Sequence, residues 1–201
     1  VDIDKPAGPS EVLVFFDDEK YIPFAAAELL AQCEHDPDAS VIGIGPNKEA
    51  LIALQLEMDR QVETCSRKNI ILEAAKNSAL FAISDPDVVI DVINDCASEH
   101  LVLLTDRYDS YLNRVKNAGS IFLGPYTPVT LGDYYGGPNH VLPTGGTSKF
   151  ASPLGVLDFM KYSSYLHYPK QELEKALPDL KKLTDLEGFD AHYNAASVRL
   201  K

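Results

Sequence analysis

Two polar side chains close an apolar, helix-like segment near the start of the chain. Gln32 and His35 lie three residues apart in LLAQCEHDPD, a spacing that puts both on one face of a helix. Two side chains on one face can share a ligand. Spacing alone favours a structural interpretation, in which His35 interacts with the last carbonyl groups and the dipole of the helix. Glutamine is also a rare ligand for zinc, which usually binds His, Cys and carboxylate groups.

A carboxylate and an imidazole are adjacent at the start of an apolar, strand-like segment. Glu99 and His100 immediately precede LVLL. Histidine can act as an acid or a base near neutral pH, and a neighbouring glutamate can activate water. Open α/β sheets usually bind ligands at the carboxyl ends of their strands, whereas this pair lies at a strand start. Taken alone, the pair favours a solvated glutamate beside a structural histidine.

Residues 124–153 form a glycine- and proline-rich segment that also carries an acid and an imidazole. The segment contains six glycines and five prolines together with Asp133 and His140. Ordering so many glycines costs conformational entropy, and long loops of this kind are more often functional than filler. The segment therefore predicts a binding loop, although Asp133 is equally suited to capping the local backbone.

A further acid and imidazole lie close to the carboxyl end, in LEGFDAHYNAASVRL. Glu187 and His192 are separated by a stretch that includes Gly188 and Asp190. In an interpretation without chemistry, Gly188 ends one helix, Asp190 caps the next and His192 lies in its first turn. The remaining histidine, His167, is not accompanied in the sequence by an acidic or amide side chain as the other four are. It is therefore predicted to be structural.

The elements that must position these side chains alternate between strand and helix. β-formers predict the strands, and apolar periodicity predicts the helices between them. The predicted strands are residues 11–16, 41–44, 70–72, 101–104 and 119–123, and the predicted helices are residues 22–33, 48–63, 86–96, 110–118, 154–162, 170–183 and 191–200. Because parallel strands need crossover connections, this alternation predicts an α/β fold: a mostly parallel sheet flanked by helices, like an incomplete Rossmann fold. Residues 1–153 are predicted to form this domain, and residues 154–201 a small helical appendage.

Composition and charge exclude several classes of protein. The 201 residues include 18 Lys and Arg against 30 Asp and Glu, and the formal charge of -12 opposes binding to nucleic acid or to anionic lipid. No apolar stretch approaches the roughly 20 residues of a membrane helix. Three cysteines without a Cys-x-x-Cys pair indicate free thiols in a reducing compartment. The chain opens on Val1 rather than Met, which predicts that further residues precede it in the natural protein.

Five segments, taken in order, resemble the carboxy-terminal half of the histidinol dehydrogenase family. They are KPAGPSEVLV, LLAQCEHDPDASV, SEHLVL, NAGSIFLGPYTPVTLGDYYGGPNHVLPTGGT and LEGFDAHYNAASVRL. Several of these blocks are long and unusual in composition, and the resemblance covers essentially the whole chain. It implies a cytosolic zinc enzyme of histidine biosynthesis, which oxidises L-histidinol through L-histidinal to L-histidine with two molecules of NAD.

The resemblance implies a metal site and a shared dimer. Gln32, His35, Asp133 and His192 would be the ligands of one zinc ion per site. His192 would come from the other subunit of a homodimer, because the helical tails of the two subunits exchange in that family. Zinc would hold the amine and imidazole of histidinol and orient it.

The resemblance also implies catalytic and substrate-binding roles. His100 would take the alcohol proton as hydride leaves, and Glu99 would activate the water that hydrates the aldehyde. Ser10, His140 and Glu187 match positions that contact substrate, in addition to the four metal ligands and His100. Glu187 would reach the site across the dimer, together with His192.

Two features depart from the family pattern. The family chain is roughly twice as long, and its amino-terminal half supplies most contacts to NAD. The glycines of IGIGPNKEA do not complete a dinucleotide-binding fingerprint, so the NAD-binding residues are unassigned. The chain alone is therefore expected to bind metal and histidinol but to turn over poorly.

Ser98 stands where the family usually has proline, a change that is not expected to abolish activity by itself.

Two other functions fit the same residues. A short homologue could keep the metal and ligand pocket and act as a metal-dependent binding module for imidazole compounds. The presence of Glu99 and His100 favours an enzyme, because a binding module needs neither an acid nor a base. A metal-dependent hydrolase is less favoured, since four protein ligands and the substrate leave little room for a metal-bound hydroxide.

Overall fold

Five parallel strands form the sheet of the computed structural model, which describes residues 8–201. In chain order the strands are β1 (Glu11–Phe16), β2 (Ser40–Gly45), β3 (Ser78–Ala82), β4 (His100–Leu104) and β5 (Ser120–Leu123). Their spatial order is β3-β2-β1-β4-β5. The predicted α/β class with a parallel sheet is confirmed. The first three residues of the KPAGPSEVLV segment lie outside the described residues.

Helices follow the strands and supply the crossover connections that parallel pairing requires. The α-helices are α1 (Ile22–Cys33), α2 (Lys48–Val62), α3 (Lys68–Ala74), α4 (Pro86–Cys96), α5 (Tyr108–Leu112), α6 (Val129–Tyr134), α7 (Lys170–Glu187) and α8 (Asp190–Ser197). Among the described residues, no helix combines the length and apolar character needed to cross a bilayer. The three cysteines are free thiols, as predicted.

The central strand β1 contributes to a hydrophobic core on each face of the sheet. Val12, Val14 and Phe16 belong to the cluster that includes buried residues of α1 and α2. Leu13 and Phe15 alternate with them and belong to the cluster that includes buried residues of α4. Side chains along a strand point alternately to its two faces. This burial on both faces explains the almost continuous apolar run EVLVFF.

The predicted strand at residues 70–72 is wrong. These residues lie within α3, which buries Ile71 and Ala74, three positions apart, on one face. A run of three apolar residues is too short to distinguish the period of a strand from that of a helix. The strand lies later, at β3, where an edge position leaves all five residues partly or fully exposed and so weakens the apolar signal.

Two predicted helices differ from those in the structure. Helix α5 ends at Leu112 rather than at residue 118. Oδ1 of Asn94 accepts hydrogen bonds from the backbone N–H groups of Lys116 (2.6 Å) and Asn117 (3.2 Å), which holds this segment outside the helix. The predicted helix at 154–162 is wrong apart from one short 3-10 turn, Val156–Phe159, which buries none of its residues.

Backbone contacts divide the chain into two compact units, Val1–Phe159 and Met160–Lys201. The first unit contains the sheet and α1 to α6. The second contains α7 and α8, which pack against each other. This division falls later than the predicted boundary at residue 153. The proposal that residues 154–201 form a tail exchanged between subunits stays a prediction.

Candidate active and metal-binding site

The carboxyl end of α1 positions Gln32 and His35. Gln32 is only 3% exposed, although it is polar. The helix ends at Cys33, and Asp36 precedes Pro37, a sequence that disfavours helical backbone at the residue before proline. His35 therefore lies just beyond the helix and is exposed. Gln32 thus lies inside the helix and His35 two residues beyond its end, so the two side chains are not both on the helix face that their spacing predicted.

Glu99 and His100 lie at the start of β4, beside the start of β1. Helix α4 is followed by Ala97 in a left-handed conformation (φ 50°), which turns the chain toward the strand. Glu99 and His100 are 7% and 5% exposed, so Glu99 is not the solvated side chain that the pair alone favoured. The hydroxyl of Ser98 donates to the carbonyl of His100 (2.9 Å). This bond restrains the chain at the position where the family usually has proline.

The backbone of Glu11 holds both of these side chains. Its N–H donates to Oε2 of Glu99 (3.0 Å), and its carbonyl lies 3.1 Å from Nδ1 of His100. Because a carbonyl can only accept, Nδ1 carries the proton, and Nε2 of the neutral ring keeps its lone pair. Nε2 lies 3.8 Å from Oδ1 of Asp133. The ring thus presents a proton acceptor on the side of Asp133.

Burial shifts the pKa values of both groups. Desolvation raises the pKa of Glu99 to about 7; the N–H of Glu11 opposes this rise, and the charges of Glu11 and Asp133 add to it. Desolvation lowers the pKa of His100; Asp133 and the bond to Glu11 oppose the decrease, and His35 adds to it. Near neutral pH the site therefore holds a neutral imidazole beside a carboxyl group close to half-ionisation, which suits proton transfer.

Two open cavities share the side chains of His35, Asp133 and Tyr134. The first, of about 440 Å³, is also lined by Glu28, Gln32 and Arg67. The second, of about 370 Å³, is also lined by Ser10, Glu99, His100 and His140. All predicted site residues of the first compact unit therefore line one pair of adjoining cavities. Ser10, Glu99 and His100 place the second cavity at the amino ends of β1 and β4, as the position of Glu99 and His100 before LVLL indicated.

Asp133 reaches the cavities from α6, a short helix within the segment predicted to be a loop. Oε2 of Glu28 accepts a hydrogen bond from the N–H of Val129 (3.3 Å), the first residue of α6. Burial raises the pKa of Glu28, opposed by this bond and reinforced by the charge of Asp133. Helix α1 therefore carries both Gln32 and the group that holds the helix of Asp133. Sequence reasoning missed Glu28, although its spacing of four residues from Gln32 puts both on one helix face.

Glu187 and His192 lie in the second compact unit. Glu187 is the last residue of α7. Gly188 follows it in a left-handed conformation (φ 72°) and terminates the helix, as predicted. Asp190 is the first residue of α8, and the capping position belongs to Phe189. The ring of His192 stacks on that of Phe189 at 5.0 Å between centroids. The roles of Glu187 and His192 at the site stay predictions.

The first cavity is lined by side chains of types that bind metal ions. Within residues 8–201, no three side chains drawn from His, Cys, Asp and Glu are grouped closely enough to hold one. Gln32 adds a donor of another type: its Nε2 is buried without a hydrogen-bond partner among residues 8–201, which is unusual for a buried polar atom. A half-turn of the carboxamide exchanges its nitrogen and oxygen. An amide oxygen, an imidazole and a carboxylate are thus available from Gln32, His35 and Asp133.

Gly119, just before β5, permits a close backbone approach beside Glu99. A Cβ at this position would lie 2.6 Å from the carbonyl oxygen of Glu99. Gly119→Ala is therefore expected to lower the free energy of unfolding by about 1–3 kcal/mol, because backbone must move to relieve the overlap. Chemical denaturation measures this change. Gly155→Ala is the matched control, since its added Cβ meets nothing closer than 3.9 Å, and equal stability of the two variants would contradict the packing argument.

Comparisons with known proteins identify the family of this chain. A family model described as histidinol dehydrogenase matches residues 1–200. Histidinol dehydrogenases from Clostridium acetobutylicum and Heliobacterium mobile are 48% and 45% identical to this chain, each over 100% of it and 47% of the relative. The crystal structure of histidinol dehydrogenase from Elizabethkingia anophelis matches with a TM-score of 0.89 at 34% identity, covering 100% of this chain and 46% of that one. The chain spans about half the length of these relatives. It belongs to the histidinol dehydrogenase family.

Proposed function

We propose that this chain forms the zinc- and substrate-binding part of an enzyme that oxidises L-histidinol through L-histidinal to L-histidine with NAD, in cytoplasmic histidine biosynthesis. The observation that carries the proposal is the buried pair Glu99 and His100. The backbone of Glu11 contacts both side chains, and the pair lines a cavity with His35 and Asp133. A binding module needs no such pair. Membership of the histidinol dehydrogenase family supplies the substrate.

His100 is suited to accept the proton of the substrate alcohol. Its Nδ1–H is engaged by the carbonyl of Glu11 at 3.1 Å, which leaves Nε2 as the basic atom. As hydride leaves the carbinol carbon for NAD, the hydroxyl proton would pass to Nε2. The resulting imidazolium would be stabilised by the carboxylate of Asp133, 3.8 Å away.

Glu99 is suited to act on water in the second half of the reaction. The aldehyde must be hydrated before a second hydride can leave, and hydration requires a base that removes a proton from water. Burial raises the pKa of Glu99 to about 7, so its carboxylate is more basic than an exposed one and is still substantially ionised near neutral pH. The N–H of Glu11 occupies Oε2, which leaves Oε1 for water.

Gln32, His35 and Asp133 would hold the zinc ion from this chain, and His192 of a second copy would complete the ligand set in a homodimer. When bound, zinc would supply a Lewis acid that orients the amine and imidazole of histidinol. Ser10 and His140 line the same cavity as His100 and would contact the substrate, together with Glu187 of the second copy. Most contacts to NAD would come from residues outside this chain.

Calorimetric titration of histidinol into the purified chain, with zinc and after chelation, tests the proposal. Binding is expected only with zinc, and NADH formation after addition of NAD is expected to be slow. His35→Ala should abolish the zinc-dependent binding. His167→Ala should not, because His167 is also exposed and is not among the residues that line the two cavities. Failure of the unmodified chain to bind histidinol in either state would refute the assignment, and rapid NADH formation would refute the claim that NAD contacts lie outside it.

A further inference from the structure

The side chain of Glu11 joins the start of β1 to the glycine-rich segment. One of its carboxylate oxygens, Oε1, accepts a hydrogen bond from the N–H of Gly145. The side chain lies in an intermediate position between core and solvent, and burial raises its pKa, opposed by hydrogen bonds at Gly145 and Glu99. Nothing in its role as the first residue of a strand requires this contact, which spans more than half of the chain.

The segment that receives Glu11 is itself held at both ends. Oγ1 of Thr144 accepts from the N–H of Gly8 (2.9 Å), ahead of β1. The hydroxyl of Ser148 donates to the carbonyl of Ala97 (2.6 Å), ahead of Glu99. Thr144 and Ser148 are each 9% exposed. Residues 144–148, called here the anchor segment, therefore contact both stretches of chain that lead into the acid–base pair.

The backbone of Glu11 has a function outside the strand ladder. Pairing between β1 and β4 begins at Val12 and His100, one residue beyond Glu11. The N–H and C=O of Glu11 on the side of β4 contact the side chains of Glu99 and His100. Glu11 also pairs with Ser40 of β2, so the bond from its side chain to Gly145 is a restraint in addition to the strand ladder.

We propose that the Glu11 side chain is a positioning residue, which is anchored on Gly145 and thereby fixes the backbone groups that orient Glu99 and His100. This inference rests on the catalytic roles proposed for that pair. The anchor transmits the position of the glycine-rich segment, which also carries His140, to the two reacting groups. Orientation of this kind affects catalysis because a small displacement of a general base lowers the reaction rate.

Nitrogen-15 NMR of the imidazole rings in the metal-free chain tests the inference directly. At a pH where the ring is neutral, His100 of the unmodified chain should show a protonated Nδ1 and an unprotonated Nε2, assigned with His100→Gln. Glu11→Ala should move both resonances toward the average of the two tautomers. Glu11→Gln should keep the original resonances, because its amide oxygen can still accept from Gly145. Glu11→Asp, which keeps the charge but is shorter, should behave like Glu11→Ala.

A matched control separates positioning from general stability. Asp85→Ala removes another carboxylate that accepts a backbone N–H, that of Asp87 (2.8 Å), at the start of α4, and should lower stability without moving the His100 resonances. Unchanged His100 resonances in folded Glu11→Ala would overturn the inference. If Glu11→Ala does not fold, retention of the resonances by Glu11→Asp and their loss in Glu11→Gln would overturn it, since charge rather than anchoring would then matter. Failure of the unmodified chain to bind zinc and histidinol would instead count against the proposed function.

Discussion

Replacing Gln32 with leucine is expected to stabilise the metal-free chain by about 1–3 kcal/mol and to weaken zinc binding by on the order of 100-fold. In the part of the chain that the structure describes, Nε2 of Gln32 is buried without a hydrogen bond, and an apolar side chain of similar size removes the penalty of that unsatisfied group. Zinc sites are worth roughly 10–16 kcal/mol over about four ligands, so loss of one ligand costs roughly 3 kcal/mol. Proteins often retain a side chain that would bind a ligand although it lowers the stability of the fold.

Chemical denaturation in a chelator and competition with a zinc-binding dye measure the two effects of Gln32→Leu. Gln55→Leu is the matched control, because Gln55 lies exposed on α2, where it donates a hydrogen bond to Asp59 (3.0 Å). This control should change stability by no more than about 0.5 kcal/mol and leave zinc affinity unaltered. A destabilised Gln32→Leu would mean that Gln32 is a structural residue, and an unaltered zinc affinity would exclude it as a ligand.

Glu99 is expected to make the metal-free chain less stable as the pH rises from about 4.5 to about 7. Its pKa is raised from 4.5 to about 7 in the folded chain, chiefly by burial. Between these values the folded chain binds more protons than the unfolded chain, so the free energy of unfolding falls with increasing pH. The contribution of Glu99 to the free energy of unfolding is fully present below the pKa of Glu99 in the unfolded chain. It is lost as the pH rises through the pKa of Glu99 in the folded chain. Its full size is roughly 3 kcal/mol.

Urea denaturation of the unmodified chain and Glu99→Gln across this pH range measures the effect. The difference in unfolding free energy between the two is the relevant quantity, because burial lowers the pKa of His100 and gives that residue a dependence of opposite sign. As the pH rises, the free energy of unfolding of Glu99→Gln should increase relative to that of the unmodified chain. Glu174→Gln, a change at an exposed position of α7, should show no such trend. A constant difference for Glu99→Gln would mean that its carboxyl group titrates normally.

The fold class follows from local sequence patterns. The run EVLVFF and the apolar periodicity of residues 22–33 predict β1 and α1 with their observed bounds, because each element buries a face whose period is written in its own residues. The strand at β3 and the extent of α5 did not follow. The first is a weakly buried edge strand, and the second ends where Asn94, from a distant helix, binds the backbone of the following segment. Both depend on neighbours that local patterns do not contain.

The site divides in a similar way. Gln32, His35, Glu99, His100 and Asp133 were named through the resemblance to a family, since their types and spacing alone favoured structural interpretations or left them open. Their proximity depends on the sheet order, which brings the starts of β1 and β4 together.

Glu11 and Glu28 look like ordinary glutamates in the sequence. Each is distinguished only by a backbone N–H that reaches it from a residue more than one hundred positions away. The proposed reacting groups could therefore be named from the sequence through the family resemblance, whereas their protonation and orientation could not. Those properties arise from desolvation and from hydrogen bonds between segments that become neighbours only when the chain has folded.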